Sequence, residues 1–514
     1  MDNIKKKAFP AKHITGNLTF PLLAVSLLSS FGSSMLYGYN LAVVNSPSEH
    51  IKAFYNSTWH QRYGQYLDQS ALTILYSLTV SVFALGGMLG SLLVGVLVSR
   101  FGRKGTVIKS SPLVFIAGAL MGFSRILGSL EMVIIGRFIT GIHSGISLSV
   151  VPMYLGEIAP KNLRGFLGLM PSIFICLGVF SAQVLGLPEL LGSHKAQSDF
   201  LAEGPAYCLE ISLELQVLVQ AQNERSVLIR SFYLALRCFR GEYDVQDVIE
   251  EMQEEQKSLS SVEVVSVFTL LMDRTLFWQT LSVVVINMGM QLSGIDAIWF
   301  YTNSIFENAG VPVAEIPYTT VGTGAIEIIA GLVGCFTVEK LGRRPLIIGG
   351  FSFMGFCCAG ITVALVFQAR VVWMQYVSVV CVIGIIAGFC IGPAGLPFIM
   401  TGELFKQSHR PAAYIVGGTL NWLSNFTVGF VFPFLQMSAG AFSYLVFCAV
   451  CLFVAIYVYF VIPETKNKTF MEISEMFSSG KPLSTPVVAV DNVKLKKLNG
   501  YGALESSSLE FSVS

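Results

Sequence analysis

Charge is what this chain has least of. Asp, Glu, Lys and Arg make up 13% of its 514 residues, roughly half the usual share of a soluble globular chain. The net charge is +1, so there is no electrostatic footprint for a nucleic acid or an acidic partner. Histidine is scarce too, with six in all. None is spaced with cysteine as a metal-ligand set, and no nucleophile–base pair or phosphate-cradling glycine loop is present. These absences argue against an enzyme and predict no cofactor and no metal. The ten cysteines sit mostly in apolar runs and read as small packing residues. No cleavable signal peptide is evident: Met1–Lys12 is basic, and the first apolar run, Leu22–Leu36, leads straight into more protein.

What the chain has is apolar length. Hydrophobic residues reach 53% and glycines number 48, as expected where helices pack closely in lipid. The runs are long enough to span a bilayer, about 20 residues each. Five helices are expected in the first half, near Pro21–Val44, Ala71–Val98, Thr106–Phe123, Glu131–Pro152 and Gly165–Leu187. Six follow, near Leu276–Phe306, Tyr318–Glu339, Leu346–Phe367, Val372–Met400, Ala412–Leu435 and Phe442–Val461. The fold class is an all-α membrane protein.

A short cassette occurs twice. Gly102-Arg103-Lys104, Glu157 and Arg164 in the first half answer to Gly342-Arg343-Arg344, Glu403 and Arg410 in the second. The glycines stand 240 residues apart, and the glutamates and later arginines 246 apart. A parallel repeat of this length in so apolar a chain is a common plan for membrane carriers, with the substrate site between the halves. The basic residues of these loops, with Lys466 and Lys468, place the loops and both termini in the cytoplasm. The loop Asn45–Ser70 then faces outward, and Asn56-Ser57-Thr58 within it is the one glycosylation triplet that agrees with this topology.

One crossing is missing. Between Leu187 and Ala235 the acids and bases from Glu189 to Arg230 interrupt every apolar run, and each charge at mid-membrane costs roughly 2.5–3.5 kcal/mol. Yet the basic loops of the second half require an even number of earlier crossings. The expected organisation is a cytoplasmic N-terminus (1–20), an N-terminal bundle (21–187) and an aberrant segment (188–234). A charged helical linker (235–275), a C-terminal bundle (276–462) and a cytoplasmic tail (463–514) complete it.

The motifs GRK at Gly102–Lys104, PMYLGEIAPKNLRG at Pro152–Gly165, QLSGIDAIWFY at Gln291–Tyr301, EKLGRRP at Glu339–Pro345, GPAGLPF at Gly392–Phe398, NWLSNF at Asn421–Phe426 and PETKNKT at Pro463–Thr469 carry a family resemblance. The chain resembles the facilitative sugar transporters of the major facilitator superfamily over roughly Leu22–Leu187 and Ala235–Phe477. YGYNLAVVN, IKAFYNSTW and IWFYTNSIF are similar to its fructose- and urate-transporting class. The resemblance implies two pseudo-symmetric bundles of twelve helices in total. It implies uniport of a hexose, fructose first, or of urate across the plasma membrane by alternating access. A proton-coupled symporter and a non-transporting sensor are the alternatives. The partners implied are the small-molecule substrate and the lipid bilayer, with no obligatory protein. The family's sixth helix and Pro-Glu-Ser-Pro-Arg segment belong between Leu187 and Ala235. The length there is right and the content is not. The reading is a compensated frame error or aberrant exon, against a real variant, and translating the transcript in its other frames separates the two.

Substrate binding needs amides and aromatic faces at mid-membrane. Gln291, Trp299, Asn421, Trp422 and Asn425 lie at that depth. Gln291 and Trp299 are eight apart and Asn421 and Asn425 four apart, so each pair shares a helix face; helix–helix hydrogen bonding is the alternative use. The resemblance places Gln291, Asn421 and Trp422 in the family's sugar-binding positions, with Tyr37 opposite. It also marks departures: Ser172 for glutamine, Met290 for glutamine, Phe398 for tryptophan and Asp296 for asparagine. The first three make the site less polar, which suits a flat, partly aromatic substrate such as urate. Asp296 and Glu327 are intramembrane acids and hence functional candidates; the family's coupling acid is replaced by Asn40, which favours uniport. Arg103, Glu157 and Arg164, and Glu339, Arg343, Glu403 and Arg410, are expected to form two salt-bridge clamps at the inner gate. Gly392–Pro397 is expected to bend its helix.

Overall fold

The computed structural model describes residues 20–158, 164–190 and 265–477, except 369, 372, 407, 467, 469–471, 474 and 475. Most of the aberrant segment, most of the charged linker (235–264) and the end of the tail lie outside the described residues.

The expected spans appear as helices, with breaks. Helix α1 runs Phe20–Ser30, passes through a π-helical turn at Phe31–Met35 and ends as Leu36–Ala42. Serines explain the turn: Ser26 and Ser29 donate to the carbonyls of Leu22 and Val25 at 2.8 and 2.6 Å, and Ser33 to that of Ser29. Such back-bonding competes with the helix ladder and bends it. Helix α2 (Ser48–Tyr63) lies where a loop was expected. Its buried Ile51 and Tyr55 are one turn apart, enough of a stripe to fold it down. Helices α3 (Gln69–Ser110, broken at Gly102 so that a new helix starts there and leads into α4), α4 (Pro112–Phe123), α5 (Leu130–Ile158) and α6 (Arg164–Leu185) make up the rest of the first bundle among the described residues. Arg62 of α2 pairs with Glu131 at 2.6 Å, so α5 begins at the α2 end of the molecule.

The second half contains the short α7 (Val267–Met272), then α8 (Phe277–Leu292), α9 (Ile295–Asn308), α10 (Ile316–Leu341) and α11 (Arg343–Phe367). Helices α12 (Met374–Ile391), α13 (Leu396–Leu404), α14 (Arg410–Ala439) and α15 (Ser443–Val461) follow. Two spans are broken. Gly392–Gly395 separates α12 from α13, where proline was expected to bend the chain. The break between α8 and α9 at Ser293–Gly294, with φ of 93° at Gly294, was not expected.

Small residues set the packing of the first bundle. A Cβ on Gly86 would stand 2.0 Å from the Phe138 carbonyl oxygen, and one on Gly141 2.0 Å from that of Phe83. The backbones of α3 and α5 therefore touch, the membrane solution to association without a hydrophobic drive. Outward positions carry large apolar side chains: Phe336 is 70% and Phe356 75% exposed, which fits lipid rather than water.

The repeat is visible in backbone conformation. Gly102 has φ 69° and ψ 173°, and Gly342 has φ 95° and ψ 175°. Both values lie in a region that only glycine occupies readily, and each glycine turns the chain into a following helix. Ser46 donates to the carbonyl of Gly186 at 3.1 Å, so the described chain pauses at Leu190 at the α2 end. It resumes at the opposite end, where the amide of Val265 donates to Ser408 at 3.2 Å. The Gly342 turn thus lies at the same end as the Gly102 turn, as the basic loops require.

Candidate substrate site and gates

The halves meet along two seams, α3 against α14 and α6 against α10. A polar cluster is buried beside the first, between α8, α9 and α14. Gln291 lies 3.0 Å from the Asn421 amide. With its nitrogen turned toward Asp296 it donates to that carboxylate at 2.7 Å, while its oxygen accepts from Asn421 at 3.2 Å. Asn425 Nδ2 donates to Asp296 Oδ1 at 2.7 Å, and Asn421 Nδ2 approaches Met290 Sδ at 3.5 Å. Asp296 is fully enclosed. The α8–α9 break creates this arrangement: it turns Asp296, in the first turn of α9, back toward Gln291 and the two asparagines of α14.

The same break separates two residues expected on one face. Gln291 and Trp299 are on different helices, because Gly294 resets the phase between them. Trp299 Nε1 donates to Glu327 Oε2 on α10 at 3.2 Å, away from Gln291. Across the seam Tyr37 of α1 stacks on Phe83 at 6.0 Å and meets Trp422 edge-on at 5.8 Å. Trp422 Nε1 donates to Ser91 Oγ at 2.9 Å, and Gly87 leaves the room its ring occupies. Gln291, Asp296, Asn421, Tyr37 and Trp422 thus face one region, and Trp299 closes a neighbouring one. Phe398 is 42% exposed and is no part of it.

One buried charge escaped the sequence reading. Arg137 of α5 is 2% exposed. It donates to the carbonyls of Asn40 at 2.8 Å and of Thr79 and Val80 at 3.4 Å, and lies 4.8 Å from the Phe83 ring centre. Among the described residues no carboxylate pairs with it. The signal was a lone arginine within the apolar run after Glu131.

At the opposite end Arg343 pairs with Glu403 at 3.2 Å, and Thr465 donates to the other Glu403 oxygen at 2.5 Å. Arg410 donates instead to the Phe405 carbonyl at 3.1 Å. The side chains of Glu157, Arg164 and Glu339 lie outside the described ones; Arg103 follows the Gly102 turn, half-buried. Glu464, just past α15, was not singled out. Its carboxylate accepts from the backbone amides of Arg343, Arg344 and Lys466 at 3.0, 3.1 and 3.0 Å, filling the donor-rich N-terminus of α11.

The α2 end is closed across the halves. Asn45 donates to Asn303 Oδ1 and accepts from its backbone amide, both at 3.1 Å, and Thr320 donates to the same Asn303 oxygen at 3.0 Å. Tyr76 and Tyr301 meet at 6.1 Å. Asn56 is helical rather than in a loop; its amide oxygen accepts from Leu67 N at 2.9 Å.

Two helical bundles closed over an enclosed polar cluster make a membrane carrier of the major facilitator architecture. The family model described as "Sugar (and other) transporter" matches residues 25–197 and 233–477, and the chain belongs to that family; it is a multi-pass transport protein and not an enzyme. The unmatched stretch falls inside 188–234, where the sequence departs from expectation. Human solute carrier family 2, facilitated glucose transporter member 9, is 46% identical over 93% of this chain and 89% of its own length. Member 5 from Equus caballus is 43% identical over 93% and 96%. The inward-open xylose transporter XylE from E. coli superposes with a TM-score of 0.72 at 21% identity, over 88% of this chain and 99% of that one, a likeness of fold.

Proposed function

We propose that the chain is a facilitative carrier of a hexose, fructose first, or of urate, in the plasma membrane with both termini cytoplasmic. It works by alternating access between the two bundles. The observation that carries this reading is the enclosed Gln291–Asp296–Asn421–Asn425 cluster, which offers donors and acceptors to a ring of hydroxyls or to a purine edge. Relatives that are named facilitated glucose transporters support the hexose class. Two features speak for urate as the other substrate: the thioether of Met290 against Asn421, and the Arg137 cation beside Phe83, which adds positive charge to the first bundle for an anion. The Arg343–Glu403 pair and the Glu464 cap are read as parts of the inner latch, and Asn56 as the glycosylation acceptor.

Uptake of urate, fructose and glucose into vesicles holding the purified protein tests this, with voltage imposed. The expected result is saturable uptake without accumulation above equilibrium at zero voltage, with urate flux alone responding to voltage. Binding without uptake sinks the carrier reading in favour of a sensor. Accumulation driven by a proton gradient sinks uniport in favour of symport.

A further inference from the structure

Three helices from both bundles each bring one buried side chain to a single point: Cys176 from α6, Glu327 from α10 and Cys390 from α12. The two sulfurs and a carboxylate oxygen lie within 4.8 Å of one another. Tetrahedral zinc, with Zn–S near 2.3 Å, holds two sulfurs about 3.8 Å apart, so closure onto an ion needs shifts of about 1 Å. The supporting shell is in place. Trp299 donates to Glu327 Oε2 at 3.2 Å, which orients the carboxyl and leaves its other oxygen for a ligand, as outer hydrogen bonds do at metal sites. Phe389 packs edge-on against Trp299 at 5.5 Å and fixes the helix turn that carries Cys390. Gly331, one turn from Glu327, has no side chain where a Cβ would stand 3.4 Å from Cys176 Sγ.

We propose that Cys176, Glu327 and Cys390 form a binding site for a soft divalent cation, Zn²⁺ or Cd²⁺, that ties the two bundles together and arrests the carrier. Two thiolates and one carboxyl oxygen select such ions over Ca²⁺ or Mg²⁺. On binding, each thiol gives up its proton. The two thiolates then neutralise the dication, so no net charge is placed in the membrane interior. Glu327 supplies the third donor, and water completes the tetrahedron. Because Cys176 belongs to one bundle and the other two ligands to its partner, a bound ion holds the seam shut. The arrest rests on the alternating-access reading; the binding does not.

The test titrates Cd²⁺ into the purified full-length protein and follows thiolate-to-cadmium charge-transfer absorption. One equivalent is expected to bind, with the signal lost in Cys176→Ser and Cys390→Ser. It should persist in Cys335→Ser, a half-buried α10 cysteine outside the trio. No charge-transfer band in the wild type, or an undiminished band in Cys176→Ser, overturns the site. X-ray absorption of the Zn²⁺-loaded wild type needs no variant to fold: two sulfur neighbours support the site and none refutes it. In vesicles, an ion that binds only the closed seam should cut uptake about tenfold at ten times its Kd. Unchanged uptake at full occupancy overturns the arrest. A protein that binds Cd²⁺ yet carries neither hexose nor urate without metal fails the transport reading alone.

Discussion

At the scale of single residues, the chemistry turns on Asp296. It sits fully enclosed among three amides, and uniport requires that its role be hydrogen bonding rather than proton carriage. Asp296→Asn keeps the shape but can put an NH₂ where a carboxyl oxygen accepts from the Asn425 amide. Losing that hydrogen bond costs about 0.5–1.5 kcal/mol, so substrate affinity should fall by roughly 2- to 10-fold. The flat dependence of wild-type uptake on an imposed proton gradient should be unchanged. A wild-type gradient dependence that disappears in Asp296→Asn would make the aspartate a proton carrier. The residues of this cluster were legible because polar side chains stand out in apolar runs. Their pairing was not, since Gln291 and Trp299 were assumed to share one helix. The cysteine–glutamate trio was illegible for a different reason: its members are scattered over the chain, and only tertiary packing joins them. Arg137 was visible in the sequence and overlooked, because basic residues were weighed only in the loops, as topology markers and gate partners.

At the scale of helices, length and hydropathy predicted spans well, and breaks only where proline marked them. The Gly392–Gly395 break follows from the neighbouring prolines. The Ser293–Gly294 break depends on one glycine, which a helix in lipid also tolerates intact. Helix α2 was missed because its apolar stripe is short. The glycine turns before the arginines give a sharper test of what a single position controls. At Gly342 a side chain meets two penalties: φ is positive, and a Cβ would stand 2.7 Å from Glu464 Oε2. Backbone strain of this kind costs of order 1–3 kcal/mol, and losing the carboxylate at the helix start costs about 1 kcal/mol more. Gly342→Ala and Glu464→Gln should each lower the melting temperature of the purified protein. The double variant should fall short of the sum, because both changes unseat the same cap. Strict additivity would show that the carboxylate and the turn are independent.

At the scale of the whole molecule, function depends on which end is shut. In this structure the α2 end is held by contacts that cross between bundles, whereas Arg343–Glu403 joins elements of one bundle. The reciprocal Asn45–Asn303 pair is the clearest crossing contact, and Thr320 reinforces it. In the proposed orientation, with the positive loops cytoplasmic, this end faces outward and the carrier is shut from outside. Asn45→Ala removes two hydrogen bonds that stabilise only this state. At about 1 kcal/mol each, their loss shifts the closed-to-open ratio at the outer end by roughly 30-fold. The effect should appear as faster hydrogen–deuterium exchange along Ile295–Asn308. Exchange should slow at the Gly102 and Gly342 turns, because opening one end of a rocking carrier closes the other. The coupling between the ends is what separates rocking from local fraying. If exchange rises around Asn303 and stays the same at both glycine turns, the two bundles do not move as units, and the duplicated cassette has a structural role without a part in gating.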